Sequence, residues 1–104
     1  MARTLLALIC ACSLPALALD GNAQAGKAKS ESCASCHEGD GRSLGLRLYP
    51  RIAGQHYIYL LQTLREYRDG QRRAGYAIQM IDSVKDLSDQ DLADLARYYS
   101  ELPW

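Results

Sequence analysis

The sequence has no net charge: 12 basic side chains balance 12 acidic ones over 104 residues. The sum therefore offers no field for nucleic acid or for an acidic membrane surface. Internal repeats and low-complexity tracts are missing, which excludes solenoids and arrays. Alternating β-branched runs are missing too, and with them the usual signal for strands. The length suits one domain and is too short for two independent cores. The one long apolar run, Thr4 to Leu14 broken by Ser13, ends by Leu19. A spanning helix needs ~20 apolar residues, so stable membrane insertion is not expected.

What stands at the N-terminus instead has the pattern of a secretory leader. Met1 and Arg3 supply a positive start, the apolar run follows, and small residues come next. Ala16-Leu17-Ala18 and Ala23-Gln24-Ala25 both fit an A-x-A cleavage site. The second would remove the start of the first helix, so the expected cut is after Ala18, giving a leader at 1–18 and a mature domain at 19–104. A permanent anchor and a lipoprotein acylated at Cys12 fit this short run less well. Export points to the periplasm.

Removing the leader takes Cys10 and Cys12 and leaves Cys33 and Cys36. A disulfide is feasible in an oxidising compartment, but two residues apart it would close a very small loop and constrain little of the unfolded chain. The charge is uneven. Residues 41–75 carry seven arginines against Glu66 and Asp69, whereas 82–104 carry five aspartates and Glu101 against Lys85 and Arg97.

Helical spacing dominates the mature chain. Asp20 or Asn22 can cap a first helix running through Ala23, Ala25, Ala28 and Lys29 towards Cys33. A glycine-punctuated loop follows and closes at Tyr49-Pro50. Tyr57, Leu60, Leu61 and Leu64 then form one apolar helix face, which Gly70 ends. Residues 71–87 read as irregular. Ser88 and Asp91 start a last helix through Leu92, Leu95, Ala96 and Tyr99. Three helices with long loops leave little core, and small domains of this kind need a staple.

Cys33-Ala34-Ser35-Cys36-His37 is C-x-x-C-H, the attachment signature for haem c. Two thiols three positions apart reach the two vinyl groups on one edge of a porphyrin, and the next side chain falls beneath the iron. That histidine must be neutral, and its second ring nitrogen needs an acceptor to fix the ring. A thioredoxin-like dithiol would need a βαβ context. A zinc site has only Cys33, Cys36, His37 and His56 to draw on. Met80, the one methionine of the mature chain, is the candidate second axial ligand, set in a loop that turns its thioether inward; core filler is the competing reading. His56 competes as a ligand but reads more simply as a surface residue.

The chain resembles the class I cytochromes c of bacteria, of the c4 and c5 types. The likeness rests on the haem motif, on Pro50-Arg51-Ile52-Ala53-Gly54-Gln55, and on Tyr59-Leu60 through Gly70-x-Arg72. Met80 and Leu87-Ser88-Asp89-Gln90-Asp91 leading to Ala96-Arg97-Tyr98-Tyr99 complete it. The resemblance implies an all-α fold, three main helices and long loops wrapped around one covalent haem c, with the first and last helices crossing. It implies that the Pro50 carbonyl accepts the His37 N–H and that Met80 is the distal ligand. By analogy, Arg51 and Gln55 lie near the propionates. One departure is that Tyr76 to Asp82 lacks the proline and small polar residues usual beside the ligand.

The function implied is a one-electron carrier of the periplasm, not an enzyme. Its partners would be redox proteins: a membrane cytochrome complex, a terminal oxidase or a periplasmic dehydrogenase. The rivals are a cytochrome subunit of a larger oxidoreductase, such as a flavoprotein sulfide dehydrogenase, and a haem-based ligand binder or small peroxidase. The first would make it part of a hetero-complex rather than a monomer; the second would need an open sixth position.

Overall fold

The structure, a computed structural model, describes residues 19–43 and 49–104. The expected leader lies outside the described residues. Five helices follow in order, with no strand among the described residues: α1 (Ala23–Lys29), α2 (Glu31–His37), α3 (Tyr57–Arg68), α4 (Ala77–Val84) and α5 (Asp89–Glu101). α5 is the centre of the arrangement, packing against α1 and α3, while α3 also packs against α4.

The expected first helix is two helices. Asn22 caps α1, its side-chain oxygen accepting the Ala25 N–H at 2.9 Å. At Ser30 the backbone N–H and the hydroxyl both donate to the Lys27 carbonyl, at 3.2 and 2.7 Å. The hydroxyl satisfies a carbonyl that a continuing helix would have bonded to the next turn, so the chain pauses and restarts as α2. The cysteine motif sits inside α2 rather than at the end of a single helix.

The segment expected to be irregular contains α4. Ala77, Met80, Ile81 and Val84 stand at i, i+3, i+4 and i+7, with Ala77 and Val84 buried. No proline or glycine interrupts this spacing. Its brevity and its β-branched residues, Ile78, Ile81 and Val84, hide it, because such residues are weak helix formers. Packing against α3 compensates.

α3 and α5 form as the spacing predicts. Tyr57, Leu60 and Leu61 of α3 are buried with Leu92, Leu95, Ala96 and Tyr99 of α5. Ser88 and Asp91 make a reciprocal capping box, both bonds at 3.0 Å. Gly70, at φ 74°, ends α3 in a left-handed conformation. Arg68 then reaches from the end of α3 to Asp89 at 2.7 Å and to the Leu87 carbonyl at 3.3 Å, joining it to the start of α5.

The crossing of α1 over α5 is close enough to require glycine. A Cβ on Gly26 would lie 2.0 Å from the Asp94 carbonyl oxygen, and one on Gly21 would lie 1.9 Å from that of Ala93. Asp94, itself buried, accepts from the Asn22 N–H at 2.8 Å, Lys29 Nζ at 2.7 Å and Gln90 Nε2 at 2.8 Å. Lys29 also pairs with Asp91 at 2.7 Å. Several charges of the uneven distribution are therefore spent on holding helices together.

Candidate functional site

Between α2, α3, α4 and α5 lies a largely apolar cavity of about 360 Å³. Cys33, Cys36 and His37 of α2 stand on its wall, as does Met80 of α4. Leu60 and Leu64 of α3 and Leu95 and Ala96 of α5 supply apolar lining. Residues that the sequence brings together by a five-residue motif thus meet Met80, more than forty positions away, around one space. The thioether comes from a helix face and not from a loop, which corrects the expected setting of Met80.

His37 is held from behind. Its Nδ1 lies 2.8 Å from the Pro50 carbonyl oxygen. A carbonyl can only accept, so Nδ1 is the donor here, and the neutral tautomer that makes this bond has its lone pair on Nε2. Ser43 steadies the same corner. Its hydroxyl lies within bonding distance of the His37 and Pro50 carbonyls, at 3.3 and 3.2 Å, and its N–H donates to the His37 carbonyl at 3.2 Å. His37 is only 4% exposed, with Tyr49 edge-on to its ring at 6.1 Å between centroids. A buried histidine on a cavity wall, with Nδ1 held by a carbonyl, has the setting that a metal-binding imidazole requires.

The cysteines fit attachment better than thiol chemistry. They form no disulfide with each other, and they lie on one wall of the cavity. Burial pushes the Cys33 thiol above its ordinary pKa, the opposite of what an activated thiolate needs. Behind it Tyr99 is buried, its phenol also pushed up by burial and by the neighbouring Cys33. Gly41, at φ 68°, lets the loop after the motif close on this ring: a Cβ there would lie 2.9 Å from Tyr99 Cδ1. Zinc is poorly served, because His56 is exposed at the start of α3. Among the described residues no three His, Cys, Asp or Glu side chains gather to hold a metal.

Of the two residues the resemblance puts near the propionates, Gln55 lines the cavity and donates from Nε2 to the Arg51 carbonyl. Arg51 is not among the lining residues. Its guanidinium lies over the Trp104 ring, 4.5 Å from the centroid, and reaches the Pro103 carbonyl at 3.4 Å. Arg72, which sequence reasoning did not single out as a site residue, does line the cavity.

Residues 23–103 match the family model for cytochrome c. Cytochrome c-554(548) of Halomonas halodenitrificans is 45% identical over 80 residues, 77% of this chain and 95% of that protein. Cytochrome c4 of Pseudomonas aeruginosa is 39% identical over 101 residues, 96% of this chain and 48% of its own length. The crystal structure of reduced recombinant cytochrome c4 from Pseudomonas stutzeri matches with a TM-score of 0.69 at 36% identity, over 80% of this chain and 46% of that one. The chain thus spans nearly all of the first relative and about half the length of the cytochromes c4.

Proposed function

The chain belongs to the cytochrome c family, as a c4-type haem-based electron-transfer protein with covalent haem c, and we propose that it serves as a periplasmic one-electron carrier in which His37 and Met80 would ligate the haem iron. The observation that carries the ligand assignment is the single cavity on whose walls Cys33, Cys36, His37 and Met80 converge. When bound, the haem supplies an iron that cycles between ferrous and ferric states.

In this reading Cys33 and Cys36 hold the haem through thioethers, which prevents its loss outside the cytoplasm. His37 donates from Nε2 while the Pro50 carbonyl fixes its tautomer and ring plane. Met80 is kept in place by the packing of α4 on α3, so little rearrangement accompanies a change of charge. A thioether favours the reduced state over a second histidine and places the potential higher. The apolar wall of Leu60, Leu64 and Leu95 excludes water and works in the same direction. The leader pattern of the sequence, expected at 1–18, supports the periplasmic location, and redox proteins are the partners this chemistry needs. No helix among the described residues is long and apolar enough to cross a membrane.

The test is the visible spectrum of the purified protein in both oxidation states, with and without carbon monoxide. His/Met ligation is expected to give a low-spin spectrum that the gas does not change. A spectrum that shifts fully on adding the gas would instead favour a ligand binder with an open sixth position.

A further inference from the structure

The iron ligands leave one demand of the haem unmet. The macrocycle carries two propionates, anionic at neutral pH, and a carboxylate drawn towards an apolar cleft needs a partner. Among the described residues no carboxylate lines the cavity, and Arg72 is the one lining side chain with a permanent positive charge. Arg72 is placed by the close of α3. Past Gly70, its backbone N–H donates to the Glu66 carbonyl at 3.2 Å, and its Nε donates to Glu66 Oε2 at 2.8 Å.

The guanidinium also packs over the Tyr67 ring, 5.5 Å from the centroid. Glu66 first, then the Tyr67 and Tyr59 hydroxyls beside it, push the Arg72 pKa above its ordinary value. Tyr59 and Tyr67 line the cavity as well. With Glu66 on the Nε edge, the fork of terminal N–H groups remains the part suited to a second carboxylate.

We propose that Arg72, with the hydroxyls of Tyr59 and Tyr67, forms the corner that binds a haem propionate. The assignment rests on the cavity being the haem site and names the residue that receives one end of the haem. It replaces Arg51, whose guanidinium is engaged at Trp104 and Pro103. The titratable groups around this corner are Glu66, Tyr59 and Tyr67 on α3 and Tyr76 before α4; His37, Tyr49 and Tyr99 also line the cavity. Glu66 is held below its ordinary value chiefly by Arg72 and would lose that hold in a variant without Arg72, so its own titration is removed from the test by working in the E66Q background.

The experiment is the midpoint potential of the haem protein as a function of pH for the unaltered chain, E66Q and E66Q/R72Q. A propionate paired with Arg72 stays ionised, so the first two are expected to be flat across the neutral range. Without Arg72 the propionate's pKa rises into that range and is lower when the iron is ferric. The potential of E66Q/R72Q should then fall as pH rises. A double-variant curve that coincides with that of E66Q overturns the assignment, as does a change confined to the salt dependence of electron transfer.

Should E66Q/R72Q not retain haem, Y59F/Y67F in the E66Q background carries the same test. It keeps both rings and removes two donors, and a smaller slope of the same sign is expected; coincidence with E66Q again overturns the proposal. Absence of covalent haem from the unaltered protein would be a failure of the haem reading itself, distinguishable from these results.

Discussion

At His37 a local motif and one distant acceptor divide the work. Cys33, Cys36 and His37 are legible in the sequence because their spacing carries the chemistry. The Pro50 acceptor is thirteen positions away and is reached only through family resemblance or the folded chain. Arg51 and Arg72 show the limit of that route. Both are arginines in the matching segments, and only the fold reveals that the first turns to Trp104 and the second to the cavity. Met80→Ala is expected to keep its covalent haem, bind carbon monoxide when reduced and lower the midpoint potential, which optical redox titration checks. His56→Ala, at an exposed ring that caps nothing, should leave the spectrum unaltered and stability within about 0.5 kcal/mol.

Among the elements, α3 and α5 are legible because their apolar stripes are long and their ends carry Gly70 and the Ser88–Asp91 box. α4 is less so, at eight residues with β-branched side chains. The break at Ser30 turns on which carbonyl a hydroxyl chooses, a choice that spacing does not reveal. The tightness of the α1–α5 crossing is a contact between residues some seventy positions apart, invisible in the periodicity of either helix. Gly26→Ala should gain up to about 1 kcal/mol of helix propensity. It would lose about 3 kcal/mol or more because the clash is with backbone. The clash wins, and thermal melting of the haem protein should show a net loss.

The same junction sets an acid sensitivity. Burial alone would push the Asp94 carboxyl up, but Lys29, the Asn22 N–H and Gln90 outweigh it and hold it below its ordinary value. Asp91 is lowered too, chiefly by Lys29. A depressed carboxylate contributes stability that is fully present above its unfolded pKa, about 4, and is lost as pH falls through the folded value. Asp94→Asn should cost about 1–3 kcal/mol at neutral pH. Its stability should also fall less than that of the unaltered protein on acidification below about pH 4, as denaturant titrations at several pH values would show.

For the whole molecule, the haem and the hydrophobic core are one object. Leu60, Leu95, Ala96 and Tyr99 belong both to the buried cluster and to the cavity wall, so their packing is complete only when the cavity is filled. Cys33→Ala/Cys36→Ala is therefore expected to lose most of its stability, on the order of the 5–15 kcal/mol that a domain possesses, and to melt without a sharp transition. A freely diffusing carrier should also transfer electrons more slowly to a charged partner as salt rises. The charges paired in Arg68–Asp89 and Lys29–Asp91 leave fewer for that steering than the sequence totals imply.

The most direct measurement is the intact mass of the purified protein after denaturation, followed by that of the peptide containing Cys33 to His37. Both are expected to exceed the polypeptide mass by one haem, and the pigment should travel with the peptide. A polypeptide of unmodified mass, with both thiols free to react, would contradict the assignment of these two cysteines.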